Sequence, residues 1–258
     1  MTGVALWLLL LGTLDLFRAH HDETSRARRF VLAGVGAWTT VVLALASDPA
    51  GRGWWGWLAV GVSVALWVPA SGTALGRARR STPPPAPGLV GERGVFVTAY
   101  AALALGFVGA VVCGPGMVAE GRADRLLEGT VLAEASPERL LVVAGVLLVQ
   151  VSTANVVVRL LLDLVGVPAH DNEKQLRGGR VLGPMERIVV VGLGVAGSLT
   201  AASLVIAAKA LLRFPELRTP GRGQAPHGGP SDVTEYFLVG SMASWLVALG
   251  GIALVAAV

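Results

Sequence analysis

Long uninterrupted runs of apolar residues, separated by short polar and charged stretches, dominate the chain. Each run is near the roughly 20 residues that a helix needs to cross about 30 Å of hydrocarbon. Helix is the expected spanning form, because a segment inside a bilayer must satisfy its own backbone groups, and no ten-residue alternation suggests a barrel. The pattern predicts an all-α, polytopic transmembrane helix bundle with about seven apolar segments: Gly3–Phe17, Phe30–Ser47, Trp54–Leu75, Val95–Ala119, Leu140–Val165, Ile188–Leu212 and Tyr236–Val258.

Composition supports the same class of protein. Hydrophobic residues make up 53% of the 258 residues, and charged residues make up 15%, against about 25% in a soluble domain. These values exclude a disordered chain, a disulfide scaffold and nearly all soluble enzymes. Of the 21 basic residues only Lys174 and Lys209 are lysine, and this arginine bias is typical of GC-rich bacterial genomes. We therefore expect a multi-pass protein of the bacterial plasma (inner) membrane that contacts membrane lipids and binds no nucleic acid.

Proline and serine residues divide the chain into regions. Four prolines between Pro83 and Pro87 predict a stiff connector. We divide the chain into an N-terminal three-span region at residues 1–80, a proline-rich cytoplasmic connector at 81–94 and a C-terminal four-segment region at 95–258. In the last region, Ser136, Pro137 and Glu138 predict a helix start, with serine as N-cap, proline at the first helical position and an acid in the first turn.

The distribution of arginine and lysine predicts the orientation of the bundle. The first, third and fifth loops are basic, whereas the second holds only Arg52 and the fourth is rich in acids. Because short cytoplasmic loops carry an excess of basic residues, the odd loops should be cytoplasmic and the N-terminus outside. The sixth loop does not follow this rule, since Arg213, Arg218 and Arg222 would lie outside if every segment crossed.

The sixth segment has two readings, because Gly192, Gly194 and Gly197 lie near its middle. As a plain crossing, it places Glu186 and Lys209 about 34 Å apart at 1.5 Å per residue, and it predicts two separate charge clusters. As a re-entrant segment, it brings the two residues together on the cytoplasmic side. We favour the plain crossing, because continuous helices are far commoner than re-entrant ones.

A polar stripe marks the fifth segment. Ser152, Asn155, Arg159 and Asp163 are spaced by three, four and four residues, so they lie within an arc of about 80° on a helix. Such residues should face protein or water rather than lipid. Either the stripe lines a polar cavity or headgroup cleft, or Arg159 and Asp163 form an i,i+4 pair while the other two bond a neighbouring helix.

Further charges flank the sixth segment, and other motifs carry less information. Glu186 and Arg187 open the segment, Lys209, Arg213 and Glu216 follow its end, and Glu235 and Tyr236 open the seventh.

The acidic and histidine residues at 20–23 are consecutive and point in different directions on a helix, so we expect no metal site. The Gly192–Gly197 spacing matches a dinucleotide fingerprint but lacks the strand–helix context, and we expect no cofactor.

Three elements of the C-terminal region resemble a known family. Residues 179–187 (GRVLGPMER) are similar to a G-R-x-I-G-x-x-E-R element, residues 207–216 to A-A-K-S-x-x-R-F-x-E, and residues 235–241 to E-Y-F-x-I-G-T. These elements belong to the bacterial membrane family called domain of unknown function 3307, and the resemblance covers about residues 155–258. An N-terminal H-x-x-x-D element of that family has no counterpart here, Ala210 replaces a serine, and Ser241 replaces a threonine. The family implies a shared site but no activity.

Three functions remain open at this stage. The first is binding or transport of a small anion or lipid headgroup through a polar site between spans five to seven. The second is a structural or assembly subunit, associated with other membrane subunits or with further copies of the chain. The third is a membrane-embedded enzyme acting on a lipid or phosphate ester, although no nucleophile or metal set is evident. The candidate ligand-binding residues are Asn155, Arg159, Asp163, Glu186, Arg187, Lys209, Arg213, Glu216, Glu235 and Tyr236.

Overall fold

A computed structural model describes residues 1–19, 25–47, 53–78, 90–112, 136–166, 179–218 and 230–258. All regular secondary structure in these ranges is helical, so the predicted all-α class is confirmed. The helices are α1 (Thr2–Ala19), α2 (Arg26–Ser47), α3 (Gly53–Ala78), α4 (Val90–Val112), α5 (Pro137–Val151), α6 (Thr153–Val165), α7 (Gly179–Val195), α8 (Leu199–Arg218) and α9 (Pro230–Ala256).

The number of helices that could cross a membrane differs from the predicted seven. Within the described ranges four helices are long and apolar enough, namely α2, α3, α4 and α9, and a fifth is gained if the bent pair of α5 and α6 counts as one span. The seven-span prediction is wrong: the fifth and sixth runs each form two helices, and α1, although continuous, is not among the candidate spans. Their length and composition are nevertheless those of a multi-pass integral membrane protein.

The predicted start of α5 agrees with the structure, whereas the predicted bounds of the connector and of the fourth segment differ from it. The Ser136 hydroxyl accepts a hydrogen bond from the Arg139 amide, and Pro137 occupies the first turn of α5, so the predicted N-cap is confirmed. The predicted connector at 81–94 lies mostly outside the described ranges, but its last residues belong to α4, which begins at Val90. The fourth segment was predicted to reach Ala119, and the described helix ends at Val112.

The fifth and sixth segments each form two helices. α5 and α6 meet at Ser152 with a bend of 45°. α7 ends in a Schellman motif: the Ser198 amide donates to the Leu193 carbonyl at 2.8 Å, and the Gly197 amide donates to the Gly194 carbonyl at 3.0 Å. Gly197 has a φ of 79°, a left-handed conformation that glycine adopts without a Cβ clash, and α8 then starts in a new direction.

The sixth segment is therefore a helical hairpin rather than a single crossing. The Lys209 ammonium of α8 contacts the Glu186 carboxylate of α7, so the two legs run antiparallel. The two side chains cannot touch if their Cα atoms lie about 34 Å apart, and the favoured plain crossing with two separate charge clusters is wrong. The start of α7 and the end of α8 lie at the same end of the bundle.

Contacts between helices give their relative directions. α1 is central and runs parallel to α5, because Thr2 bonds Glu138 at one end and Ser152 bonds the Gly12 carbonyl near the other. α9 runs antiparallel to α5 and α6, because Gly240 packs on Leu162 and the Val247 carbonyl accepts from Gln150. α7 runs parallel to α9. The hairpin therefore opens at the end of the bundle where α6 ends and α9 begins.

Candidate functional site

A buried arginine occupies the junction of α5, α6, α7 and α9. Arg187 of α7 is 3% exposed. Its Nε and Nη2 atoms donate to the Gln150 carbonyl at 3.1 and 2.9 Å, and its Nη1 atom donates to the Ser244 hydroxyl at 2.8 Å. Nη2 also donates to the Asn155 side-chain oxygen. One guanidinium thus joins four helices that the sequence places far apart.

The break between α5 and α6 makes this arrangement chemically favourable. The last four carbonyls of a helix have no intrahelical partner, and the Gln150 carbonyl lies in that last turn of α5. Arg187 supplies two donors to it. Asn155 satisfies another freed group, because its Nδ2 donates to the Val151 carbonyl at 3.0 Å. The carboxyl end of a helix also carries partial negative charge, which favours a cation there.

All the described partners of Arg187 are uncharged. Two of its contacts go to one backbone carbonyl, and the others go to an amide and a hydroxyl oxygen. The neighbouring carboxylate, Glu186, contacts Lys209 instead. Among the described residues, Glu186 contacts Lys209 and no carboxylate contacts Arg187 directly, although the Glu186 charge acts on Arg187 through space. A buried charge without a direct counter-ion contact is costly, and within a membrane bundle such a residue is a candidate for a functional site.

The Glu186–Lys209 pair lies at the edge of this site. The two side chains are 20% and 18% exposed, so they are partly open to their surroundings while Arg187 is closed off. The Lys209 ammonium also lies 5.8 Å from the centre of the Phe237 ring, which places the start of α9 beside the pair. This pair links the two legs of the α7–α8 hairpin and borders Arg187 on the side toward the hairpin's open end.

The structure brings together part of the predicted set. Asn155 contacts Arg187, and Glu186 contacts Lys209, so these four residues form two adjacent pairs. The remaining described members lie on the same helices, are partly buried and all have interaction partners: Arg159, Asp163 and Tyr236. Arg213, Glu216 and Glu235 belong to α8 and α9, but their side chains lie outside the described part of the structure.

Sequence reasoning missed two residues of the site. Gln150 is 1% exposed and Ser244 is 5% exposed, and both lie within apolar runs. A polar residue within an apolar run is a sequence signal, and it could have been used to predict Ser244 and the side chain of Gln150 as site residues. The role of the Gln150 backbone carbonyl left no signal of any kind, because every residue has a carbonyl and only the helix break makes this one available.

A second buried arginine lies in the N-terminal half of the bundle. Arg18 of α1 is 7% exposed and pairs with Asp15 at 2.9 Å. Arg18 also donates to the Val68 carbonyl at 3.1 Å and the Ser71 hydroxyl at 2.7 Å. The Trp67 indole donates to both Asp15 oxygens. Here the charge is neutralised within one helix, so this cluster has the features of a structural ion pair.

One N–H group of the Arg187 guanidinium has no partner among the described residues. A guanidinium has five N–H groups, of which four have described partners. The remaining one is on Nη1, which would lie 3.6 Å from a Cβ built on Gly183, so Gly183 of α7 lies beside this atom. In the described residues no group of three or more histidine, cysteine or acidic side chains could hold a metal ion.

Comparison with protein-family models, with curated proteins and with solved structures finds no match for this chain.

Proposed function

We propose that this integral membrane protein binds a small anion or the anionic headgroup of a lipid at Arg187. The observation that carries the proposal is the buried guanidinium whose described partners are all neutral. The neutral oxygens hold the guanidinium in place without cancelling its charge. A phosphate or carboxylate would supply the missing negative charge, and guanidinium–anion hydrogen bonds are among the strongest in proteins.

The neighbouring Glu186–Lys209 pair has no net charge, so Arg187 supplies the attraction for an anion in this proposal. Lys209 is partly exposed and contacts only one described carboxylate, that of Glu186. An anion that approaches from the open end of the hairpin passes the Glu186–Lys209 pair before it reaches Arg187. Asn155 completes the site with an amide that already orients the guanidinium. The resemblance to domain of unknown function 3307 stays a prediction, and it singles out Glu186, Arg187 and Lys209 independently.

We further propose that α1, whose 18 residues run alongside α5, also crosses the membrane, and that the start of α1 and the end of α9 lie on the outer side. The hairpin of α7 and α8 starts and ends at the same end of the bundle, so the chain lies on the same side of the membrane before and after it. The loop after α8 then lies on the same side as the first, third and fifth loops. This orientation places Arg213 and Arg218 with the other basic loops and removes the conflict with the positive-inside pattern.

Cysteine labelling distinguishes this orientation from seven plain crossings. In a Cys113→Ser background, single cysteines replace Ser25, before α2, and Ala257, after α9. We expect an impermeant maleimide added to intact cells to label position 257 and to label position 25 only after permeabilisation. Seven crossings place these two positions on the same side, so equal labelling of both, or of neither, would contradict the proposal.

Ligand binding is tested on the purified full-length protein with two probes, phosphatidylglycerol in mixed micelles and inorganic phosphate. Arg187→Gln removes the charge at the site, and Arg139→Gln is the matched control, because Arg139 is exposed at the other end of α5. We expect Arg187→Gln to weaken binding by about 10- to 100-fold, as for a lost charged hydrogen bond of about 1.5–3 kcal/mol. Arg139→Gln should change it little.

The two probes separate the sources of the anion, and the variants test the site itself. Binding of phosphatidylglycerol alone indicates a headgroup, and competition by inorganic phosphate indicates a small anion. Arg187→Lys keeps the charge and should retain part of the binding. If neither probe binds, or if Arg187→Gln and Arg139→Gln behave alike, the proposal is wrong.

A structural role is the second candidate, and one observation favours it. Arg187 connects α5, α6, α7 and α9 through four hydrogen bonds, so it can act as a fixed joint of an assembly subunit. In that case the wild-type protein binds neither probe, and Arg187→Gln lowers the stability of the bundle.

A further inference from the structure

An apolar groove lies between α1 and α2, on helices that take no part in the site around Arg187. Its volume is about 480 Å³, within the range of small-molecule sites. The residues that line it lie between positions 6 and 17 of α1 and between positions 32 and 43 of α2. The α2 residues belong to the candidate span Arg26–Ala46, so the groove lies at membrane depth.

The groove has the length of one leaflet of a bilayer. On each helix the first and last lining residues are about 16 Å apart at 1.5 Å per residue. The hydrocarbon core of a bilayer is about 30 Å thick, so one leaflet supplies about 15 Å. Thr13 and Thr39 also line the groove, and each donates its hydroxyl to a carbonyl of its own helix. The groove therefore suits one acyl chain and makes no demand for a polar group along its length.

A guanidinium lies at the end of the groove where α1 ends and α2 begins. Arg28 of α2 donates from Nη2 to the carbonyl of Phe17, a groove residue, at 3.3 Å. Arg28 also lies one helical turn before Leu32, another groove residue, on the same face of α2. A backbone carbonyl holds the side chain in place without cancelling its charge. The apolar groove thus has a positive charge at one end.

The start of α2 concentrates positive charge. Arg26, Arg28 and Arg29 occupy its first turn, which has no acid, although the positive end of a helix dipole favours acids there. Residues 20–29 hold three arginines and two acids, so the stretch keeps a net positive charge. Arg29 packs on Gly72 of α3, and Arg26 lies about 160° from Arg28 around the helix. Of the three, we assign Arg28 to the end of the groove.

We propose that this groove binds an acyl chain of a phospholipid with an anionic headgroup, whose phosphate pairs with Arg28. The apolar lining takes the chain, and the net charge of the headgroup decides between lipids. A zwitterionic phospholipid fills the groove equally well but gains less at Arg28, because its headgroup carries its own cation. A second copy of the chain is a poor occupant, since a dimer with its axis along the membrane normal brings the same arginines together.

The test is photo-crosslinking of the full-length protein in membranes, with phosphatidylglycerol and phosphatidylcholine that carry the same diazirine in the acyl chain. We expect phosphatidylglycerol to label peptides that contain residues 6–17 and 32–43 about fivefold more than phosphatidylcholine, as for one arginine near a membrane surface. Arg28→Gln should abolish this preference. Arg26→Gln is the matched control, because it removes the same charge from the other face of α2, and it should keep most of the preference.

A second pair of variants tests the groove itself. Val35 lines the groove and is 52% exposed, whereas Val41 is 48% exposed and lies on the far side of α2. Val35→Phe should reduce the labelling of both peptides by phosphatidylglycerol about fivefold, and Val41→Phe should leave it unchanged. Thr13→Phe fills the groove from α1 and should act like Val35→Phe. Arg187→Gln should leave this labelling unchanged, so failure of this proposal is distinguishable from failure of the anion site.

Three results would overturn the proposal. One is equal labelling by the two lipids in the wild-type protein, which indicates a groove filled by any acyl chain. Another is an equal loss of preference in Arg28→Gln and Arg26→Gln, which indicates a general attraction to the basic loop. The third is labelling of both peptides that survives Val35→Phe and Thr13→Phe, which places the chain outside the groove. Thermal unfolding of each variant in the same detergent shows whether the variant is folded.

Discussion

Two buried arginines, Arg18 and Arg187, each carry a positive charge that is costly to bury, and the surrounding groups stabilise the two charges in different ways. Arg18 lies on a continuous helix and pairs with Asp15, three residues earlier on the same helix. Arg187 has no carboxylate partner among the described residues and is held by oxygens of α5, α6 and α9. The N-terminal pair is neutral as a unit, whereas the C-terminal arginine keeps its charge.

Under the proposed function, this difference separates a structural role for Arg18 from a binding role for Arg187. A neutral pair within one helix stabilises the fold and leaves nothing for a ligand to neutralise. A charged guanidinium held by neutral groups is pre-oriented, and an anion gains the full charge interaction when it binds. Within the described residues, the helix breaks lie in the half that contains Arg187. The break at Ser152 frees the Gln150 carbonyl, which a continuous α5–α6 helix would use for its own hydrogen bond.

The largest effect should follow from removing the counter-ion of Arg18. Asp15→Asn keeps an oxygen for the Trp67 indole but leaves a buried, unpaired guanidinium. We expect a loss of about 3–5 kcal/mol in the free energy of unfolding, measured by detergent denaturation of the purified protein. The double variant Asp15→Asn with Arg18→Met removes both charges and should be closer to wild type. A single variant as stable as wild type would show that Arg18 does not depend on Asp15.

A smaller effect is expected at the other arginine. Arg187→Met leaves no buried charge, but it deprives the Gln150 carbonyl and the Asn155 and Ser244 oxygens of donors. Each unsatisfied buried acceptor costs about 1–3 kcal/mol. The variant also removes a buried charge, and the relief of its desolvation cost offsets part of this loss. The net loss in unfolding free energy should therefore be below that of Asp15→Asn. The same denaturation assay measures it, with Arg139→Gln as the exposed control. A loss larger than that of Asp15→Asn would place Arg187, not Arg18, in the structural role.

The hairpin turn provides the smallest of the three effects. Gly197→Ala introduces a Cβ at a φ of 79°, and we expect a loss of about 1–2 kcal/mol in unfolding free energy. Gly192→Ala is the matched control, because Gly192 is helical and open around its Cβ, so alanine should raise helix stability by about 0.5–1 kcal/mol. If both variants are stabilised alike, the segment is a continuous helix and the hairpin is wrong.

Membrane class and the local helix signals could be read from the sequence. Hydrophobicity adds up along a run, so the apolar segments predict helices without knowledge of their neighbours. The Ser136 cap is confirmed because a cap depends only on residues within one turn. Asn155, Glu186, Arg187 and Lys209 were predicted as ligand-binding residues from their polarity and position, and the structure brings them into two adjacent pairs. Their role in ligand binding stays a prediction.

The tertiary structure alone decided whether the sixth segment crosses or folds back. Glycines at 192, 194 and 197 permit a break, but a packed helix also tolerates them, and the local pattern does not distinguish the two outcomes. The Schellman motif at Gly197 and the contact between Glu186 and Lys209 close the hairpin, and this contact joins residues 23 positions apart. The partner of Arg187 was hidden for the same reason, because the Gln150 carbonyl becomes available only after distant helices pack around the bend at Ser152.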